Sequence, residues 1–413
     1  MKMLSRLIGV DDAVKKLVDA FSRTLHLDVE VVKITDAVGR VLAEDIYAPV
    51  NRPETSISAV DGYAVRSLDT TSASYYSPVE LFIKGTIKPG YGNSGLCVDP
   101  GTAVRVHTGA QIPCGADAVV MEEDVQVVGN KVLVYKPVAS GSNIVLKGED
   151  FKKGDLLAPR GSLVKPPVIA ALSASGVDSI VVYKKINVSI VTIGDELIEP
   201  GETPAPGRVY NSSAYVVYSA LLRDSLFSVR YAGIVPDSVE EVENAVLGEF
   251  EKGVDLVITT GGTGISESDV IVDFVARNGE FVFRGVKMRP GRPTSSSIIH
   301  SKLVVHLSGF PVAAWCGYEL ILRRALIEWL GIRGLERHYV YARLARRLPG
   351  SPGYCSVVRV MLYEDNGELY ADPYMLRGSG VISSLLRTNG YIIIPENVEG
   401  YEKGSRVRVY LYD

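Results

Sequence analysis

Residues 10–23, VDDAVKKLVDAFSR, place Val10, Val14, Leu17, Val18 and Phe21 on one face at helical spacing. Asp11 and Asp12 stand in the first turn, where the helix dipole favours acids. The next stretch, DVEVVKITDAVGRVLAEDIYAP, alternates like a strand and passes into a short helix. Between about 51 and 140 the texture is of short β-rich pieces (VELFIKG, TAVRVHTG, DAVVMEEDVQVVGNKVLVYKPV) separated by Gly and Pro turns. PPVIAALSASG, 166–176, restores a helix closed by glycine. From about 186 to 333 strands and helices alternate. INVSIVTIGDEL ends a strand in a glycine turn, 211–223 reads as a helix, and FSVRYAGIVPDS carries the second strand. A helix over 237–252, the strand VDLVITTGG, the helix DVIVDFVARNG, the strand KLVVHLSG and a long helix over 311–331 follow. Strands joined by crossover helices predict a parallel sheet covered on both faces. The tail (YVYARLARRL, YCSVVRVMLYE, GYIIIPENV, SRVRVYLYD) reads as a second small β unit.

The predicted fold class is therefore multidomain α/β plus β. A parallel-sheet α/β domain spans 186–335, a β-rich lid spans 51–139, and a β-barrel-like domain spans 336–413. Residues 1–50 and 140–185 form a discontinuous linking and dimerisation domain, from which the N-terminal helix is free to pack elsewhere. A length of 413 residues, 46% hydrophobic and 22% charged, suits such a division. The net charge of −4 argues against a nucleic-acid surface. The charged start lacks the apolar core of a signal peptide, and no window approaches a membrane span. Cys97, Cys114, Cys316 and Cys355 are scattered without a CxxC pair, which fits a reducing, cytoplasmic compartment; Cys316 reads as core. The five histidines show no zinc spacing.

The candidate chemistry lies in turns. In TTGGTGISESD, 259–269, three glycines leave a strand and an aspartate opens the next helix. Glycines let a backbone approach a ligand closely, and a helix N-terminus with hydroxyls from Thr263, Ser266 and Ser268 suits phosphate. Asp269 alone would read as a cap. RPGRP, 289–293, sets two arginines in a rigid proline corner, either a surface turn or an oxyanion site. Asp195, Glu196 and Asp237 follow two other strands of the same sheet. Carboxylates at successive strand ends beside a phosphate turn suggest Mg²⁺ held between acids and phosphates. SAVDGYAVR (58–66), the turn TGAQIPCGAD within 105–124, and NIVLKGEDFKKGD (143–155) are dense in chemistry, yet each alone reads as a structured turn.

Taken together and in this order, SAVDGYAVR, TGAQIPCGADAVVMEE, KGED, IGDEL, GGTG…D and RPGRP resemble the molybdopterin molybdenumtransferases, the MoeA family that includes the gephyrin E domain. The α/β segment alone also resembles the MogA/MoaB adenylyltransferases, but DGYAVR and TGAxxPxGAD belong to the longer family. The resemblance implies insertion of molybdate into adenylylated molybdopterin, with AMP release and Mg²⁺ as cofactor. It further implies a homodimer with its site between subunits, and possible substrate transfer from a MogA/MoaB-type adenylyltransferase. Carried over by position, Gly261, Gly262, Thr263, Gly264 and Ser266 would cradle the phosphate, and Asp237 and Asp269 would serve Mg²⁺ or the pterin. Glu196 would line the same pocket. Asp61, Thr108 and Asp150 match the family's acids and threonine across the cleft, with His107 beside them either structural or at the ligand. Arg289, Pro290, Gly291, Arg292 and Pro293 would face the oxyanion, and no serine or cysteine nucleophile is expected.

The chain also departs from the family pattern. KPGKP becomes RPGRP, and PGNPVS becomes SGFPVAA, so Ser308, Phe310 and Ala313 stand where proline, asparagine and serine are usual. Val145 replaces a frequent arginine and Ser213 an asparagine. These changes gather near the expected ligands, which raises tungstate as a substrate beside molybdate. The alternative is a non-catalytic molybdopterin-binding or scaffolding paralogue, which would bind ligand without releasing AMP.

Overall fold

The computed structural model describes residues 7–91, 95–263, 269–374 and 378–412. Its centre is a six-stranded sheet in the order 227–235, 186–193, 256–261, 302–307, 295–299, 279–284. The first four strands run parallel. Ile186–Ile193 and Leu256–Gly261 are buried almost throughout, as strands covered on both faces must be. Ile190 faces a core shared with the helices Val10–Thr24, Ser213–Arg223 and Pro311–Gly317, while Val191 and Ile193 face a second core against Val239–Glu251 and Val270–Asn278. The last two strands are antiparallel and were not foreseen from the chain. The first three residues of strand 295–299, Ser295, Ser296 and Ser297, are polar yet all three are buried. Two of their hydroxyls are satisfied inside the sheet: Ser296 Oγ donates to the Val304 carbonyl at 3.0 Å, and Ser297 Oγ bonds His306 Nε2 at 2.8 Å.

The N-terminal helix Val10–Thr24 buries Val14, Leu17 and Phe21 in the α/β core, with the Phe21 ring 5.3 Å from that of Trp329. Residues 29–33 pair with 179–183, and 46–47 with 156–158, around a small core of Leu42, Ile46, Leu172 and Val182. Between these segments lies a six-stranded sheet built from 62–65, 79–87, 102–106, 118–121, 125–128 and 131–134. At the other end, strands 339–344, 355–365, 368–373, 390–394 and 406–411 close into a barrel through the pairing of 355–365 with 390–394. A short strand pairing and a buried ion cluster are among the contacts that join the barrel to the α/β unit. Met288–Arg289 pairs in parallel with Cys355–Ser356. A buried ion cluster also spans the seam: Arg323 Nε donates to Asp224 Oδ2 at 2.7 Å, and Glu319 accepts from Arg337 Nη2 at 2.7 Å and Tyr391 OH at 3.1 Å. Such a cluster is costly to break once formed, because each partner lost leaves a buried charge.

Cys97 and Cys114 form a disulfide, which corrects the reading of four scattered thiols and removes the cysteine argument for a reducing compartment. Spacing could not reveal it, because the two residues meet only through the turn that precedes strand 118–121. Cys316 and Cys355 are free and buried. Among the described residues no helix is long and apolar enough to cross a membrane. The bond closes a loop across a sequence separation of 17, which predicts a stabilisation of about 3 kcal/mol through the unfolded chain. A fall in the melting temperature of this unit under dithiothreitol, matched by the Cys97→Ser/Cys114→Ser variant, is the expected result. Identical melting with and without reductant would show that the link adds nothing.

Candidate active site

The parallel strands diverge at Ile186–Ile193, whose chain successor pairs on one side and Leu256–Gly261 on the other. Such a switch point opens a crevice at the carboxyl ends of the strands. A cavity of about 490 Å³ occupies it, lined by Ile193, Glu196, Asp237, Gly261, Gly262, Thr263, Asp269 and Ser308 among others. Gly261 has φ +86° and Gly262 φ +61°. A Cβ on Gly261 would lie 2.1 Å from the Ile193 carbonyl oxygen. Bare backbone is therefore required where the turn meets the cavity. Gly264, Ser266 and Ser268 lie outside the described residues.

Asp195 and Asp237 clamp two strand-end turns by reciprocal bonds: each backbone N–H donates to the other's carboxylate at 3.3 Å. Asp269 caps the helix Val270–Asn278, accepting from Ile271 N at 3.0 Å, and also lines the cavity. The cap and the site are one residue. Burial pushes its carboxyl up to about 6, against the opposing pull of the Ile271 N–H and Arg284, and Asp237 adds to the rise. Among the described residues no three His, Cys, Asp or Glu side chains converge to cage a metal. Two carboxylates on one cavity wall do fit Mg²⁺, which commonly takes one or two from the protein and the rest from phosphate and water.

A second cavity, of about 540 Å³, adjoins the first and shares Pro293, Ser308 and Phe310 with it. Arg289, Arg292 and Arg359 line it, and among the described residues no carboxylate does. Arg292 Nε and Ser356 Oγ are buried without a hydrogen-bond partner. Unpaired buried donors carry a desolvation penalty that a bound acceptor would relieve. The Arg289 guanidinium lies 4.1 Å over the Tyr354 ring, which fixes its plane. Gly291 has φ +109°, a left-handed conformation that an L side chain would strain. The corner thus combines an exposed Arg289 laid on the Tyr354 ring with an Arg292 whose Nε is buried and unpaired.

Residues 8–176 match the MoeA N-terminal region (domain I and II), 189–328 a probable molybdopterin binding domain, and 341–412 the MoeA C-terminal region (domain IV). A Bacillus subtilis protein named molybdopterin molybdenumtransferase is 35% identical over 375 residues, covering 90% of this chain and 86% of its own. The chain belongs to the MoeA family. A Methanocaldococcus jannaschii protein named for molybdopterin biosynthesis is 37% identical over 377 residues, covering 89% of this chain and 88% of its own. The crystal structure of the MoeA molybdopterin biosynthesis protein from Pyrococcus horikoshii OT3 superposes with a TM-score of 0.80 at 32% identity, over 98% of this chain and all of that one.

Against the MoeA motifs, one chain brings together only part of the expected set. Glu196, Asp237, Asp269 and the glycine turn share the first cavity, and the arginine corner the second. Asp61 and Thr108 meet each other instead: Asp61 Oδ1 accepts from Thr108 N at 2.6 Å and Oγ1 at 2.9 Å. Those bonds, the backbone one first, hold the Asp61 carboxyl below the usual range. His107 Nδ1 sits 3.7 Å from Asp61 Oδ2. Asp150 pairs with Arg52 Nε at 2.9 Å. None of the three lines either cavity.

Arg359 and Ser356 were missed from the chain. Their signal was a lone arginine inside the apolar run CSVVRVML, where only 6% of Arg359 remains exposed. Its Nε donates to Ser384 Oγ at 3.1 Å, and a charged residue at an inward strand position needs such partners.

Proposed function

We propose that this MoeA-family chain is a molybdopterin molybdenumtransferase that inserts molybdate, or tungstate, into adenylylated molybdopterin and releases AMP. The observation that carries the reading is the pair of adjoining cavities, one floored by bare glycine backbone and edged by acids, the other lined by three arginines, with Arg292 Nε and Ser356 Oγ left unpaired. A phosphorylated pterin in the first would place its far end beside an oxyanion in the second. Gly261, Gly262 and Thr263, continued by Gly264 and Ser266, cradle the phosphate through backbone N–H groups. Arg289, Arg292 and Arg359 neutralise a tetrahedral dianion, and the Pro290–Gly291 and Pro293 backbone fixes their spacing. Catalysis here is positioning and charge stabilisation, with no covalent nucleophile. Asp237 and Asp269 would hold Mg²⁺ together with phosphate oxygens and water, and the ion would supply charge neutralisation. Glu196 contributes to the same acidic wall.

Asp61, Thr108 and Asp150 enter the reading as groups from a second copy of the chain. Asp61 and Thr108 are exposed on the β-rich unit and Asp150 on the adjoining linking segment, which suits a cytoplasmic homodimer whose lid closes over its neighbour. The four-unit division (1–50 with 140–185, 51–139, 186–335, 336–413) is proposed on the same basis. Delivery of the adenylylated pterin falls to a MogA/MoaB-type partner.

The test is AMP release from adenylylated molybdopterin with Mg²⁺, run without oxyanion, with molybdate and with tungstate. Oxyanion-stimulated release is expected, and Asp237→Ala should lower it by roughly 100-fold, the scale of losing one preorganised electrostatic group. Tight binding of the pterin with no release under any condition would leave the scaffolding paralogue instead.

A further inference from the structure

Phe310 is 58% exposed, although it stands at the junction of the two cavities and lines both. Its backbone is fixed on both sides. Phe310 N donates to Ser308 Oγ at 3.2 Å, and its carbonyl accepts from Ala314 N at 2.8 Å in the first turn of Pro311–Gly317. The preceding Gly309 is tied down as well: its carbonyl accepts from Ser213 Oγ at 2.5 Å, and its Cβ position lies 3.3 Å from Gly261 Cα. Gly380 approaches the ring, where an added Cβ would meet Phe310 Cδ1 at 3.2 Å, and more than half of the residue stays exposed. A rigidly mounted aromatic with an open flank, set between a phosphate turn and an arginine pocket, faces the part of a ligand that carries neither charge.

We propose that Phe310 is a specificity-determining residue that offers its ring as a stacking platform to the fused heteroaromatic ring of the ligand. The inference rests on the functional reading above and deepens it. Phosphate and oxyanion charges are taken by the flanking cavities, so the segment between them is the planar ring of the pterin or the adenine. Offset stacking on an aromatic face suits either, and a base stacked on such a side chain loses about ten-fold or more in affinity when the ring is removed. Asparagine, usual at this position, would grip a ring by its edge; phenylalanine grips it by its face.

The experiment is calorimetric titration of the full chain with molybdopterin, AMP, pyrophosphate and molybdate in the presence of Mg²⁺, comparing wild type with Phe310→Ala and Phe310→Trp. The expected result is a loss of about ten-fold for one ring-bearing ligand in Phe310→Ala, retention in Phe310→Trp, and unchanged pyrophosphate and molybdate affinity. The arm that responds, molybdopterin or AMP, identifies the ring. Equal affinities for both ring ligands in wild type and Phe310→Ala overturn the platform. So does a parallel loss of pyrophosphate affinity, which would make Phe310 a structural wall. A wild-type chain that binds pyrophosphate and molybdate but neither ring ligand overturns the platform and leaves the two charged cavities standing. One that binds none of the four removes the functional reading together with it.

Discussion

Gly261→Ala is expected to destabilise the α/β unit by roughly 3 kcal/mol or more and to abolish pyrophosphate binding. Two costs add. At φ +86° an alanine pays the left-handed penalty of about 1 kcal/mol. Its Cβ would also stand 2.1 Å from the Ile193 carbonyl oxygen. That oxygen cannot move aside freely, because Ile193 and Gly261 are partners in the parallel ladder and Ile193 pairs with Val235 on its other side. Relief must come from the turn, which is the proposed phosphate cradle. Gly253 supplies the control: it has φ +84° but open space around its Cβ position, so Gly253→Ala should lose only about 1 kcal/mol. Urea denaturation of both variants, with pyrophosphate titration, separates the two costs. Equal losses would show that the clash at Gly261 is absorbed without consequence.

The contrast between those two glycines also marks what a chain reveals before it folds. The turn TTGGTG announced itself because three glycines in four residues have few uses, and the apolar runs on either side named the strands. Arg292 and Arg289 were visible for a similar reason, as cations locked between prolines. The barrel's contribution was not. Arg359 reaches the arginine-lined cavity through the pairing of Met288–Arg289 with Cys355–Ser356, a contact between segments far apart in sequence that no local period encodes. The serine-rich strand 295–299 was not foreseen, since its burial between two neighbouring strands depends on His306 and the Val304 carbonyl as partners. Cys97 and Cys114 meet for the same non-local reason. Asp269 shows the opposite case, in which two readings that compete on paper, cap and ligand wall, are satisfied by one carboxylate.

His306 predicts that this sheet is the acid-labile part of the molecule. The imidazole is fully buried, bonded through Nδ1 to Thr259 Oγ1 at 2.9 Å and through Nε2 to Ser297 Oγ at 2.8 Å. Burial pushes its pKa down to about 3, and no carboxylate stands among the causes. The native chain therefore holds fewer protons at this ring than the unfolded chain, in which histidine titrates near 6.5, throughout the window between those values. The contribution is complete above pH 6.5 and declines as the pH falls, at about 1.4 kcal/mol per pH unit. His306→Gln keeps an amide between the two hydroxyls and removes the titration. Between pH 6.5 and 4.5 the wild type should lose about 2 kcal/mol more than this variant in urea midpoints taken at matched ionic strength. Because Thr259 lies two residues before Gly261 and His306 two before Ser308, the ring ties together the strands that end at both cavities. Acid should accordingly weaken pyrophosphate binding before it melts the barrel. Parallel pH profiles for the two proteins would mean that the proton is taken up elsewhere, and that the hydroxyl pair tolerates an imidazolium.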